Sequence, residues 1–335
     1  MENLLFLGIL FVPIVLISFL VTLFVLPRWI KKAKVIGLVW RDMHKKGKPK
    51  NVAGSGGIAA VLGFSIGVLV YIAVKTFLFN SSENLIEILA LLVTIFIVLV
   101  IGFIDDIFGW QRGGLSIRTR LVMLVFAAIP LMVINAGQSA VLGIDFGIFF
   151  PLIIVPIAIV GATSTFNFLA GYNGLEASQG ILLLTGLSLA AFLTGSLWLA
   201  LMGGCMIASL GAFYIFNKYP AKVFAGDSLT YAVGALVAGI AILGNIEKIA
   251  LFFFIPYIIE FFLKVRGKLK KQSFSKLNAD ESLDSLYGKI YGLEHLAVAF
   301  LKKIKISHKA YEWEVPMIIN LFQILIIFIG FIIFF

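Results

Sequence analysis

The chain has 335 residues, 61% of them hydrophobic and only 13% charged, and its mean hydropathy is +1.07. That excludes a soluble globule, whose apolar share would be nearer half. The formal charge of +10 would suit nucleic acid, but the basic residues lie between long apolar runs with no soluble basic domain around them. The charge is therefore read as membrane orientation, with no nucleic-acid partner.

Apolar runs of roughly 18 to 25 residues recur along the chain, each long enough to cross a hydrocarbon core of about 30 Å as a helix. The expected fold is an all-α integral membrane protein with about ten transmembrane helices. The short alternating segments of a barrel are missing. The first helix, about Leu4 to Leu26, is preceded by Glu2 and followed by no small-residue cleavage site, so it is expected to be retained. Nine Lys or Arg residues between Arg28 and Lys50 place the next loop in the cytoplasm.

Helix two starts in Gly54-Ser55-Gly56-Gly57 and reaches about Phe79. The glycines are expected to serve close packing, with phosphate binding by their N–H groups the weaker reading. Helix three, about Leu85 to Ile104, should end at the inner surface in Asp105-Asp106, beside Arg112, Arg118 and Arg120. Helix four spans about Leu121 to Ile134. Helix five spans about Ile148 to Thr165 and should bend at Pro151 and Pro156. It leads into the polar stretch Asn167 to Glu176. Helices six and seven turn near Gly195, the lone Cys205 serves packing, and helix eight begins at Asp227.

Helices eight and nine pair across Gly244 to Lys248, and helix ten runs from about Val315 to Phe335. Ten spans put both termini outside and leave only Lys75 and Lys248, of 27 basic residues, on the outer half. Residues 1–335 then form a single multi-pass catalytic domain, with 266–311 a cytoplasmic loop. In that loop Leu283, Leu286, Tyr287, Ile290, Leu293, Ala297, Phe300, Leu301 and Ile304 share a helical face, the pattern of an interfacial helix or of a packed cap.

Every unusual polar feature falls on the inner side: Asp42 with Lys45 and Lys50, the pair Asp105 and Asp106, Asn167 with Asn173, and Asp227. A single acid at a helix end is ordinarily a cap. Several carboxylates and an amide facing one water layer amid basic side chains suit a hard cation that shares oxygen ligands with phosphates, Mg²⁺ first and Mn²⁺ as its substitute. Phosphoryl transfer uses those parts.

These residues also carry a resemblance. Asp42 to Ile58, Gly102-Phe103-Ile104-Asp105-Asp106, the block Asn167 to Ala177 and Val223-Phe224-Ala225-Gly226-Asp227 resemble the polyprenyl-phosphate N-acetylhexosamine-1-phosphate transferases, most of all their UDP-N-acetylglucosamine–dolichyl-phosphate branch. The resemblance implies transfer of N-acetylglucosamine 1-phosphate from UDP-N-acetylglucosamine to a polyprenyl phosphate, in a cell membrane or the endoplasmic reticulum, with a homodimer as a compatible assembly. It implies Mg²⁺ at Asn167 and Asp227, and lipid-phosphate activation or metal binding at Asp105 and Asp106. Asn173 and Phe224 would hold uridine, and Arg120 would stand in for a pyrophosphate-binding Lys. Asp42, Lys45, Lys50, Glu176 and Lys271 complete the expected substrate-binding set. Gly109 departs from the family's usual Asn or Asp, and Lys271-Gln272-Ser273 from its Arg/His-rich sugar motif. The alternatives are a phospho-N-acetylmuramoyl-pentapeptide-type transferase, a transporter using Asp105 and Asp106 as an ion relay, and a CDP-alcohol phosphotransferase, whose paired Asp-x-x-Asp signature is absent.

Overall fold

The computed structural model describes residues 2–141 and 143–335, with side chains outside residues 2–9 and 112; the side chains of Glu2 and Arg112 lie outside this set. The chain is mostly helical. Among the described residues, seven helical stretches are long and apolar enough to cross a membrane: Leu10–Val35, Gly57–Leu78, Leu85–Gln111, Phe150–Phe168, Leu175–Leu193, Leu197–Asn217 and Glu314–Phe334. They lie within α1 (Glu2–Val35), α2 (Gly57–Leu78), α3 (Leu85–Arg112), a π-helical turn (Phe150–Ile154) leading into α6 (Val155–Phe168), α7 (Leu175–Leu193), α8 (Leu197–Asn217) and α13 (Glu314–Phe334).

The other three expected spans are short or interrupted, and proline explains two of the breaks. One is split into α4 (Ile117–Ala127) and α5 (Ile129–Val133) just ahead of Pro130, and another into α10 (Glu247–Phe253) and α11 (Ile255–Arg266) just ahead of Pro256. The bend expected in helix five takes the form of the π-turn that contains Pro151. The third, α9 (Asp227–Leu243), has 17 residues.

α9 is the hub. Every residue from Ser228 to Ile242 is buried, and α2, α3, α6, α7, α8 and α10 pack around it. A helix apolar on all sides belongs in an interior. Its alanines and glycines let neighbouring backbones come close: a Cβ at Gly234 would lie 2.6 Å from Thr163 Cα of α6. On the facing helix, a Cβ at Gly102 would meet the Asp227 carbonyl at 2.5 Å.

Two expectations are corrected. Asp105 and Asp106 do not end their helix at the surface; α3 runs on to Arg112 and buries both, at 3% and 7% exposure. The helix continues because each acid finds a protein partner and needs no water. The amphipathic run does not form one helix from Leu283 either. Leu283–Asp284 is a strand paired antiparallel with Lys276–Leu277, and the helix is α12 (Leu293–Ile304) alone. Gly288 and Gly292 separate the two, as poor helix formers should.

The glycines at the start of α2 pack as expected and are closed to phosphate. The N–H groups of Gly54, Gly56 and Gly57 donate to the carbonyls of Leu38, Phe224 and Ala225, at 3.0 Å each. This zips the end of β2 (Lys50–Ala53), the strand paired with β1 (Val39–Arg41), to the segment before α9.

Because α3 and α9 touch through Gly102, Gly102→Val should wedge them apart at a cost of about 2 kcal/mol or more. Thermal unfolding in nanodiscs should show a lower midpoint than a Gly161→Val control, a helical glycine of α6 with open space around it.

Candidate functional site

The first turn of α9 needs acceptors for its free N–H groups, and Asp106 supplies them from α3. Its Oδ1 accepts from Asp227 N–H at 2.7 Å and its Oδ2 from Ser228 N–H at 3.4 Å. Gly226, with φ +72°, makes the turn; a Cβ there would strike the Asp106 carboxylate. Asp105, one residue on, faces elsewhere. Its Oδ2 lies 2.7 Å from Arg120 Nε and accepts from Tyr231 OH at 3.3 Å, and its Oδ1 accepts from Leu115 N–H at 2.8 Å. The Asp227 carboxyl comes within hydrogen-bonding reach of Asp105. Asp105 and Asp227 thus face one guanidinium with Asp106 close to Asp227, a donor set of hard oxygens short of positive charge.

These groups border a cavity of about 280 Å³. Asp106, Gly226, Asp227 and Ser55 line one part, and Asp42, Gly171, Tyr172, Asn173, Glu176 and Phe224 another; Trp40, Arg41, Met43 and Phe274 complete it. Asn173 is held on both sides: its Nδ2 donates to Asp42 Oδ2 at 3.3 Å and its backbone N–H to Glu312 Oε1 at 3.3 Å. Asp42 is itself held by Lys45 Nζ at 2.9 Å. Glu176 Oε1 accepts from Gly171 N–H at 3.1 Å and closes the 171–176 turn.

Of the expected site residues, the structure brings Asp42, Asp106, Asn173, Glu176, Phe224 and Asp227 onto the cavity wall. Asp105 and Lys45 stand behind it, and Arg120 backs Asp105. Asn167 is not on the wall; its Oδ1 accepts from Thr230 Oγ1 at 2.9 Å. Lys50 lines a separate open hollow with Arg41 and Lys48, and Lys271 lies over the rings of Tyr287 and Tyr291. Gly109 has a local reason: a Cβ there would come within 3.3 Å of the Trp40 ring.

Sequence reasoning missed Tyr231 and Phe274. Tyr231 stands four residues after Asp227, hence on the same face of α9, and helical spacing alone pointed to it. Phe274 left no such signal.

Among the described residues, no three His, Cys, Asp or Glu side chains form a metal-holding group by themselves. A Mg²⁺ ion keeps waters and takes one or two carboxylates together with substrate phosphates, so it would not need such a group. Asp106 and Asp227 are the two carboxylates on the wall.

The profile of glycosyl transferase family 4 matches residues 88–245. A Saccharolobus solfataricus protein provisionally named UDP-N-acetylglucosamine–dolichyl-phosphate N-acetylglucosaminephosphotransferase is 35% identical over 80% of this chain and 82% of its own length. The chain belongs to glycosyl transferase family 4. Two further relatives show the range of similarity. The Dictyostelium discoideum protein named UDP-N-acetylglucosamine–dolichyl-phosphate N-acetylglucosaminephosphotransferase is 30% identical over 68% of this chain and 65% of its own. A Streptococcus pyogenes phospho-N-acetylmuramoyl-pentapeptide-transferase is 28% identical over 73% and 76%.

Two outcomes follow for this family-4 member. Arg120→Ala should destabilise the protein by about 3 kcal/mol, since it leaves Asp105 buried without its partner, and adding Asp105→Asn should recover part of the loss; a double-mutant cycle of thermal unfolding measures it. On α12, burial first and the neighbouring Glu260 second push the Glu294 carboxyl from an ordinary 4.5 up to about 8. The folded state then holds a proton that the unfolded chain gives up, so stability is full below pH 4.5 and falls as pH rises toward 8. Glu294→Gln should flatten that decline when unfolding is followed between pH 5 and 9.

Proposed function

We propose that the chain transfers N-acetylglucosamine 1-phosphate from UDP-N-acetylglucosamine to a polyprenyl phosphate, dolichyl phosphate in the first instance, and releases UMP. This is the first membrane step in building a lipid-linked oligosaccharide for N-glycosylation. The observation that carries the reading is a single cavity with carboxylates on one part of its wall and an oriented amide with a phenyl ring on another. The second part suits a pyrimidine nucleoside, with Asn173 reading the base edge and Phe224 stacking on it. The first suits a diphosphate.

In this reading an oxygen of the lipid phosphate attacks the β-phosphorus of the donor. The new P–O–P bond forms as the bond from the β-phosphorus to the bridging oxygen breaks, and UMP leaves with the electron pair. Asp106 and Asp227 would hold Mg²⁺, with Asn167, which Thr230 of α9 bonds, as the further ligand that the resemblance implies; the bound ion would offset charge on the phosphate oxygens. Asp105 fixes the Arg120 guanidinium, which shares that charge. The lysines of the inner loops, Lys45, Lys50 and Lys271 among them, draw the anionic donor in.

The acceptor's tail has a place. An apolar groove of about 480 Å³ runs between α6, α9, α10 and α11, lined by Ile157, Val237, Ala241, Phe254, Ile258 and Phe262 among others. The topology proposed with it counts α4–α5, α9 and α10–α11 as three further crossings, giving ten spans with the cavity toward the cytoplasm and both termini outside. α12 would lie in the inner interface, since Leu296, Phe300 and Ile304 are exposed along one side of it with Lys303 beside them.

The S. pyogenes similarity favours one alternative donor, a UDP-N-acetylmuramoyl-pentapeptide, and a single assay separates the two. Nanodisc-embedded protein given each labelled donor with dolichyl or undecaprenyl phosphate and Mg²⁺ should yield labelled lipid and UMP from UDP-N-acetylglucosamine only. Asp227→Ala and Asn167→Ala should each lower UMP release by about a hundredfold or more. Full activity in either variant would sink the metal assignment, and labelled lipid from the pentapeptide donor alone would replace the proposed substrate.

A further inference from the structure

Phe274 is the one residue of the long 264–311 loop on the cavity wall, among the described residues. It is held from both sides. Before it, Ser273 Oγ accepts from Lys264 Nζ at 2.5 Å, and Lys264 is buried against Glu260 Oε1 at 3.1 Å. Glu260 in turn accepts from Leu293 N–H at 2.6 Å, at the start of α12. After it, Ser275 N–H donates to His44 Nε2 at 3.1 Å, and Ser275 Oγ shares a hydrogen bond with Tyr172 OH at 2.7 Å.

His44 belongs to the same construction. An Nε2 that accepts a hydrogen bond leaves the ring proton on Nδ1, which faces Glu312 Oε1 at 3.7 Å, the oxygen that also takes Asn173 N–H. The imidazole stacks on Tyr172 with centroids 4.4 Å apart and meets the Phe274 ring edge-on at 5.6 Å. Phe274 also lies against Gly171, where a Cβ would come within 3.1 Å of its Cε1. The ring thus stands at the Gly171–Asn173 wall.

Buried ionic groups are poor sources of net stability, and a hydrophobic filling would serve a mere packing role at least as well. What Lys264 and His44 provide is direction, because each fixes one neighbour of Phe274 before any ligand arrives. A ring whose freedom is already spent binds at lower entropic cost. We propose that Phe274 is a donor-contacting residue whose ring forms an apolar wall against the pyrimidine nucleoside. His44 and Lys264 are positioning residues that act on it through Ser275 and Ser273. This rests on the donor class proposed above and adds a contact from the loop that carries neither the Arg/His-rich motif nor Lys271 to the cavity.

The test uses full-length protein in nanodiscs with UDP-N-acetylglucosamine and dolichyl phosphate. Phe274→Ala should raise the donor KM and the UMP inhibition constant together by about tenfold, the usual loss of one base–aromatic contact. The acceptor KM, kcat and unfolding midpoint should stay near wild type, and Phe274→Tyr should restore the donor KM. His44→Ala should reproduce the donor effect, and His44→Gln, whose amide oxygen can accept from Ser275 N–H, should rescue it in part. If Phe274→Ala does not fold, Phe274→Leu fills the loop and should still raise both donor constants severalfold. A folded, active Phe274→Ala or Phe274→Leu with unchanged donor KM and UMP inhibition overturns this inference alone. A wild-type protein that neither turns over UDP-N-acetylglucosamine nor binds UMP overturns the donor class, and this contact with it.

Discussion

The architecture depends on the carboxylate of Asp106 meeting the first turn of α9. A helix buried on every side has no water to satisfy its leading N–H groups, and its N-terminus carries partial positive charge. One acid from a neighbouring helix answers both needs, at 2.7 and 3.4 Å. Gly102 and Gly226 are the steric conditions for it, one by letting the helices close and the other by clearing space for the carboxylate. The same side chain lines the cavity, so the contact that seats the central helix also sets one wall of the site.

Around that contact the electrostatics divide the labour between two adjacent acids. Successive residues on a helix point about 100° apart, and here that separates Asp105, turned to Arg120 and Tyr231, from Asp106, turned to α9 and the cavity. Asp227 stands between them. A cluster this rich in carboxylate is a poor resting place for an anion without a cation, and a good one for a cation that brings phosphate with it. The nucleoside wall is built by another means, from neutral groups fixed by second partners: Asn173 by Asp42 and Glu312, Phe274 by the residues on either side of it.

Much of this was legible in the sequence, and the limits have physical causes. Apolar runs marked the long helices because hydrocarbon tolerates little else. Asp106, Asp227, Asn173 and Phe224 were legible as motifs because a short block can hold a whole local geometry. The end of α3 was misjudged because the rule that acids leave a membrane helix assumes they have only water to turn to; Arg120 and the α9 terminus are partners that no local window contains. The long loop misled for the opposite reason. Its apolar period looked continuous from Leu283, but Leu283 is buried in a strand that bonds Ala310. Lys50 and Lys271 were expected at the site by charge and by resemblance, and the structure puts Lys50 in a hollow of its own and Lys271 over two tyrosine rings. Phe274 was hidden because its position depends on His44, 230 residues earlier.

The total enclosure of α9 bears on how the molecule can move. A helix buried along its length cannot turn or slide without opening voids against six neighbours, and a close-packed interior resists that strongly. It serves as a fixed spindle. Whatever yields to admit a long isoprenoid chain must then come from the other walls of the apolar groove, and those are the elements already interrupted: α6 at its π-turn and α10–α11 at the Phe254 break. The prolines that spoil these helices as regular spans place the compliance of the protein beside the groove and keep it away from the acids.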